Sequence, residues 1–261
     1  MRVYFINLER HARRRQRMEQ LLATLTYERV HAVDGSTLAG PESRDRSRPL
    51  GADNLSRYEL ACLLSHRQAW VDFLADGDAY ACFLEDDVVL SPDFPQFINN
   101  DAWIPASCDV VKIETFCERI MLSRREVAAG DRKLAKLLTF HQGTGGYILS
   151  RQGAERLLAY TERPTLPVDL ILFDPDLLQQ RGFVGQLIPG LCIQSHRVSD
   201  GPVLDELANS IQQPAPIKKR KAWGQRIVAE LTRPFRQIRT LVTRLQFQQR
   251  HQARQRVVPF R

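Results

Sequence analysis

Residues 81–90 read Ala81-Cys82-Phe83-Leu84-Glu85-Asp86-Asp87-Val88-Val89-Leu90, three consecutive carboxylates between two apolar runs. The run before them has the length and composition of a buried strand. Acids are depleted from strands and costly to bury, so three together at a strand end need water or a cation. On an extended backbone Glu85 and Asp87 point to one side and Asp86 to the other. Two hard oxygen ligands on one face can hold Mg²⁺ or Mn²⁺ when a substrate diphosphate supplies further oxygens. An acidic turn that simply closes the strand is the alternative, and composition alone does not choose between them.

Outward from this stretch, short apolar runs alternate with helical patterns. Residues 3–7, 79–84, 109–114, 146–150 and 183–188 read as strands, and 10–25, 57–74, 152–160 and 169–180 as helices. Such alternation predicts an α/β sandwich with a mostly parallel sheet. The second helix starts clearly: Ser56 followed by Glu59 is a capping box, and Leu60, Leu63, Leu64, Trp70, Val71 and Leu74 form an apolar stripe from which Glu59, Cys62 and His66 fall away. Residues 34–54 are polar and rich in Gly, Pro, Ser and Arg, a long loop that is functional, as a lid would be, or poorly ordered.

The chain of 261 residues is long enough to bury a core unaided. Its 37 Lys and Arg against 30 Asp and Glu give a net charge of +7, which taken whole points to a polyanionic partner. Position changes that reading. Residues 214–261 hold 13 basic residues and one acid, Glu230, a net of +12, so residues 1–213 carry 24 basic and 29 acidic residues, a net of −5. The junction is Gln212-Gln213-Pro214-Ala215-Pro216, whose prolines resist helix and central strand alike, and divides a domain at 1–211 from a basic tail at 212–261. Five scattered cysteines without a C-x-x-C pair predict reduced thiols and a cytosolic compartment. The apolar run at the N-terminus is too short for a signal peptide, and no run reaches the length of a membrane span.

In order along the chain stand Ile6-Asn7-Leu8-Glu9-Arg10 with an Arg-rich stretch, Ala32-Val33-Asp34-Gly35, Glu59-Leu60-Ala61-Cys62-Leu63-Leu64-Ser65-His66, Phe83-Leu84-Glu85-Asp86-Asp87-Val88, Gly145-Gly146-Tyr147-Ile148-Leu149-Ser150, and Pro167-Val168-Asp169. This series resembles the family 25 glycosyltransferases, a group that includes bacterial lipooligosaccharide galactosyltransferases and the collagen galactosyltransferases. The resemblance covers roughly residues 1–200. It implies a GT-A-like nucleotide-diphospho-sugar transferase fold with a mixed, mostly parallel sheet. It also implies a UDP-sugar donor, Mn²⁺ or Mg²⁺ held by Glu85 and Asp87 beside Asp86, and sugar transfer with inversion.

Roles follow on the matching positions. Asn7, Leu8 and Arg10 lie where the first strand ends, the place where open α/β sheets collect ligands, and are expected to contact the nucleotide; a helix cap with a surface arginine is the plainer reading. Asp34 and Gly35 hold the ribose or form a turn. His66 is a donor-site candidate or a buried structural histidine. Lys112, inside an apolar run, contacts a diphosphate or a carboxylate, or lies at a solvated sheet edge. Gly143-Thr144-Gly145-Gly146 allows close backbone approach to a sugar or forms a plain loop. Asp169 is the candidate general base or acceptor-orienting group, and also a candidate N-cap. His196 sits where some enzymes of this fold present a further metal ligand, shortly before Ser199-Asp200.

In the tail, Ile227, Leu231, Phe235, Ile238, Val242 and Leu245 recur at helical spacing among arginines, with Pro234 interrupting. This is the pattern of a basic amphipathic helix, which lies on an anionic membrane surface or packs on the body. The aromatic residues fit the apolar stripe rather than a stacking platform, which sets nucleic acid aside. The composite expectation is an enzyme at the cytoplasmic face of the inner membrane that moves a hexose, galactose first, from a UDP-hexose to a lipooligosaccharide, lipopolysaccharide or other cell-surface glycan. A non-catalytic binding or adaptor protein recruited by its tail is the other reading.

Overall fold

The computed structural model describes residues 1–45, 47–49, 51, 54–174, 183–198, 249–250 and 252–261. The strand before the acidic triplet runs beside the N-terminal strand in parallel, with Ile6 opposite Glu85. In chain order the elements are β1 (Arg2–Asn7), α1 (Ala12–Leu21), β2 (Tyr27–His31), α2 (Arg57–Ala75), β3 (Tyr80–Glu85), β4 (Val88–Leu90), α3 (Phe94–Ile98) and β5 (Cys108–Lys112). There follow β6 (Arg119–Ala129), β7 (Arg132–Leu137), β8 (Gly146–Ser150), α4 (Arg151–Tyr160), α5 (Val168–Phe173), β9 (Phe183–Ile188), β10 (Cys192–Gln194) and β11 (Ala253–Val257).

Among the described residues one sheet runs β11-β6-β7-β9-β5-β8-β3-β1-β2, and β10 pairs with β4 in a small second sheet. The main sheet is mixed. Ladders β1–β2, β1–β3 and β5–β9 are parallel, while β8 lies antiparallel between β3 and β5, and β9, β7, β6 and β11 follow antiparallel. All five strands expected from sequence are present; of the main sheet's five antiparallel ladders among the described residues, β3–β8 and β5–β8 join expected strands and the other three involve β6, β7 and β11, which the sequence reading did not place. β6 and β7 form a hairpin closed by Gly130-Asp131, with Gly130 at φ 61°. Arg124, Arg125, Lys133 and Lys136 are exposed along the hairpin, while Arg132 is buried and donates to the carbonyls of Pro189 and Gly190.

Alternation along β1 sorts the core into two layers. Tyr4 and Ile6 join Phe83, Tyr147, Trp70 and Phe73 under α2, α4 and α5. Val3 and Phe5 join Met18, Leu22, Phe94 and Phe97 under α1 and α3. Burial on both faces explains why β1, β3 and β8 read as unbroken apolar runs.

Three expectations need correction. The buried face of α2 is Ala61, Leu63, Ser65, His66, Ala69, Trp70 and Phe73, whereas Val71 is exposed, so His66 faces the core. Lys112 is fully buried on a central strand, so the solvated-edge reading fails. Residues 253–257, within the expected helical tail, instead form a strand that pairs with β6, and Val258 is fully buried behind it. The proposed helical stretch of the tail, the 212–216 junction, Ser199-Asp200 and residues 175–180 of the fourth expected helix lie outside the described residues. No helix among the described residues is long and apolar enough to cross a membrane.

Candidate active site

β1, β3 and β5 all end, and β8 begins, at one edge of the sheet. Asn7, Glu85 with its acidic turn, Lys112 with Glu114, and the Gly143–Gly145 loop therefore converge there. α2 begins with the capping box that its sequence predicts: Ser56 Oγ accepts from Glu59 N at 3.1 Å, and Glu59 Oε2 accepts from Ser56 N at 2.9 Å. This fixed start places Cys62 and His66 over the end of β3.

The three carboxylates take different directions. Asp86 is buried and turns toward α1: its Oδ1 accepts from Arg14 Nη1 at 2.9 Å, and its Oδ2 from Asn7 Nδ2 at 2.6 Å. Arg29 Nε donates to Asn7 Oδ1 at 3.1 Å. Asn7 and Asp86 thus brace each other, tying the acidic turn to the end of β1. Glu85 turns the other way, where the Thr144 hydroxyl donates to Oε1 and His66 Nε2 stands 3.5 Å away. Burial works against ionisation of Glu85, yet the nearby His66 imidazole, the Thr144 hydroxyl bond and the Lys112 charge hold its carboxyl below the usual range.

Asp87 is different. Its Oδ1 is enclosed and has no hydrogen-bond partner. Burial, reinforced by repulsion from Glu85 and Asp86, pushes its carboxyl up to about 7. An enclosed carboxylate oxygen without a donor, between two other carboxylates, is what a site for a hard divalent cation looks like before the cation neutralises it. Asp87 therefore fits the group the resemblance implies, while Glu85 is aimed at Thr144 and His66. Arg17 adds a cationic partner from α1, with Nη1 enclosed and unpartnered and its guanidinium in the field of Asp87 and Asp86.

Lys112 does not reach outward. Its ammonium donates to Glu114 Oε2 at 3.0 Å, Gln142 O at 3.0 Å and Gly143 O at 2.5 Å, which uses all three protons. Of the contacts expected for it, the carboxylate is the one formed, and a diphosphate finds no free donor. Glu114 also accepts from Gly145 N at 3.2 Å, and burial, against the pull of Lys112, pushes its carboxyl up to about 7. The pair pins the 142–145 loop from below. A Cβ on Gly145 would fall 2.6 Å from Glu114 Oε1, and one on Gly143, at φ 86°, would fall 2.4 Å from the Phe116 ring. Only glycine fits either position.

That loop carries the next group. Asp169 Oδ2 accepts from Gly143 N at 3.4 Å and Oδ1 from Leu170 N at 2.9 Å. The N-cap of α5 is Pro167, so Asp169 sits in the first turn rather than at the cap. Burial raises its carboxyl above the ordinary range. Arg10 and Asp34 form an ion pair with each other, and Asp34 Oδ1 caps a turn by accepting from Ser36 N at 2.9 Å. Gly35 lies at this turn against Tyr58. Leu8 is half-buried at the end of β1, where its carbonyl accepts from His11 N at 2.9 Å.

His196 is exposed on a single 3₁₀ turn, Ser195–Arg197, brought beside the acidic turn because Ser195 N donates to Asp87 O at 2.8 Å. Glu85, Asp87 and His196 are not drawn into one cluster. Among the described residues, the three-residue group of possible ligands whose atoms lie within 4.8 Å of one another is Cys62, His66 and Glu85. Sequence reasoning passed over Cys62, Thr144 and Glu114. The first was legible as an i, i+4 partner of His66; the other two owe their place to strand order alone.

Comparison with known proteins identifies the family. The family model described as "Glycosyltransferase family 25 (LPS biosynthesis protein)" matches residues 1–172. The chain is 33% identical over 182 residues to the lacto-N-neotetraose biosynthesis glycosyltransferase LgtB of Neisseria gonorrhoeae, covering 65% of this chain and 64% of that one, a little under two thirds of the relative's length. It is 25% identical over 219 residues to the lipooligosaccharide biosynthesis protein lic2B of Haemophilus influenzae, covering 79% of each. Among solved structures, a glycosyltransferase involved in glycosylation of the major capsid of PBCV-1 aligns over 79% of this chain and 98% of its own, at 10% identity and a TM-score of 0.42. With the family model spanning residues 1–172, well over half of its length, the chain belongs to glycosyltransferase family 25.

Proposed function

We propose that this chain is an inverting glycosyltransferase that moves a hexose, galactose first, from a UDP-sugar to a lipooligosaccharide, lipopolysaccharide or other cell-surface glycan. The observation that carries this reading is the enclosed, unpartnered Oδ1 of Asp87 just past the end of β3, in the electrostatic field of Arg14, Arg17, Glu85 and Asp86. Membership of a family described by LPS biosynthesis, with a Haemophilus relative in lipooligosaccharide biosynthesis and a Neisseria relative in lacto-N-neotetraose biosynthesis, supports the substrate class.

Glu85 and Asp87 hold Mn²⁺ or Mg²⁺, which when bound supplies positive charge to the donor diphosphate. Arg17 places a guanidinium against the same phosphates. Asp86 does not bind donor directly; braced by Asn7 and Arg14, it holds the turn in place. Asp169 accepts the proton of the acceptor hydroxyl as that oxygen attacks the anomeric carbon opposite the departing diphosphate, and inversion follows. Burial makes Asp169 a stronger base, and Gly143 N keeps its second oxygen oriented. The basic run within residues 214–245 addresses the enzyme to the anionic inner face of the membrane, a reading supported by its sequence pattern.

Incubation with a panel of UDP-hexoses, Mn²⁺ and lipooligosaccharide acceptors, with the product anomer read by NMR, tests this. Transfer with inversion is expected. Failure of every donor to bind by calorimetry in the presence of Mn²⁺ would favour the adaptor reading instead.

A further inference from the structure

Cys62 and His66 stand four residues apart on α2, so both side chains leave the same face of the helix one turn apart. Glu85 closes β3 opposite them. The ligand atoms of all three lie within 4.8 Å of one another, and His66 Nε2 is 3.5 Å from Glu85 Oε1. Atoms bound at about 2.0–2.3 Å to one tetrahedral zinc ion are themselves about 3.5 Å apart. His66 and Glu85 already have that spacing, and the Cys62 sulfur lies within 4.8 Å of both.

A second, independent observation concerns His66 itself. It is 1% exposed, and its Nε2 has no hydrogen-bond partner, although it is aimed at Glu85. Its other nitrogen, Nδ1, is held 2.8 Å from the Tyr147 hydroxyl. A histidine with one nitrogen fixed by an outer partner and the other directed at further ligands is how proteins present imidazole to a metal. Tyr147 serves this role in either state. Trp70 Nε1, which can only donate, occupies one lone pair of the Tyr147 oxygen at 2.8 Å. The hydroxyl retains one lone pair and one proton. It can donate to Nδ1, leaving the ring proton on Nε2 facing Glu85, or accept from Nδ1–H, leaving the Nε2 lone pair free for a metal.

We propose that Cys62, His66 and Glu85 bind zinc, or an equally thiophilic divalent cation, through one sulfur, one imidazole nitrogen and one carboxylate oxygen. Sulfur and imidazole select such an ion over Mg²⁺ and Mn²⁺, which prefer all-oxygen shells. Binding sends the Cys62 thiol proton to solvent, one proton per ion. Glu85 is 24% exposed, so the site is reachable from solvent through its carboxylate. The site shares Glu85 with the donor-site reading, but the geometry that argues for it does not depend on that reading. Its consequence, that bound zinc withdraws Glu85 from the pair with Asp87 and opposes Mn²⁺, rests on that reading.

The test uses the full-length, metal-stripped chain titrated with Co²⁺. One equivalent should produce a thiolate-to-cobalt charge-transfer band and tetrahedral visible absorption, both lost on adding one equivalent of Zn²⁺. Cys117→Ser removes the exposed thiol and should leave the band unchanged. Asp87→Asn should also leave it unchanged, which separates this site from the acidic turn. Cys62→Ser should abolish it, and His66→Gln should weaken Co²⁺ affinity at least tenfold. If a variant does not fold, protection of Cys62 from alkylation in the wild-type chain, read by mass spectrometry with and without Zn²⁺, gives the same answer. A missing band, a band that survives Cys62→Ser, or a Cys62 alkylation rate unaffected by Zn²⁺ would overturn the proposal.

Discussion

Replacing Lys112 by methionine keeps the volume of the side chain and removes its charge. In the wild type the ammonium holds Glu114 and two loop carbonyls and lies 3.9 Å from the centre of the Phe173 ring, with both Lys112 and Glu114 completely buried. Without it, Glu114 retains Gly145 N as its partner, and the carbonyls of Gln142 and Gly143 lose their donor. Breaking a buried ion pair from one side costs about 3–5 kcal/mol. In a chain of this size that lowers the melting temperature by roughly 6–20 °C. Removing both charges at once leaves no unpaired ion behind. The double variant Lys112→Met/Glu114→Gln should therefore be less destabilised than the sum of the two single changes by about 1–3 kcal/mol. Urea unfolding at pH 7 of the four proteins closes the cycle. A cost below about 1 kcal/mol for Lys112→Met, or additive costs in the cycle, would show that the pair does not act as the unit described.

Further expectations concern the same region and the end of the chain. Glu114 has a carboxyl raised to about 7 in the fold, so the folded state holds a proton that the unfolded chain gives up near pH 4.5. Its contribution is present below that range and is lost as pH rises to about 7, by roughly 3 kcal/mol; Glu114→Gln should flatten this part of the stability profile. Asp87→Asn should raise the stability of the metal-free protein at pH 8 by roughly 1–3 kcal/mol by removing repulsion from Glu85 and Asp86. The gain should shrink as pH falls through about 7 and vanish only below the ordinary carboxyl value of 3.8; thermal melts at pH 8, 5 and 3.5 check it. Deleting residues 252–261 removes β11, exposes the edge of β6 and strips Val258 from the core, so it should lower the melting temperature, in contrast to a dispensable tail.

The strands that build the site were readable because both of their faces are buried: the runs ending at Asn7 and Glu85 and the one starting at Gly146 carry little polar interruption. The capping box of α2 was equally plain, since its two bonds are local. β6 and β7 were missed because charged residues interrupt both strands and break the apolar pattern, although Gly130-Asp131 was a usable hairpin signal. The inward turn of His66 came from α2 being more deeply enclosed by α4, α5 and the sheet than an apolar stripe alone shows. Lys112 presents the clearest limit. A lysine in an apolar strand has to find partners, but that they are Glu114 and the carbonyls at 142 and 143 depends on β8 lying beside β5, which no local pattern states.

The central claim is that the Glu85-Asp86-Asp87 turn exists to hold a cation and donor diphosphate and not to stabilise the fold. The most direct measurement is hexose transfer by Asp87→Asn, with Mn²⁺ and the donor that serves the wild type, alongside its thermal melt at pH 8. The account predicts loss of transfer by at least a hundredfold, about 2.7 kcal/mol of transition-state stabilisation, in a protein that melts no lower than the wild type. Undiminished transfer, or loss of transfer accompanied by a lower melting temperature, would contradict it.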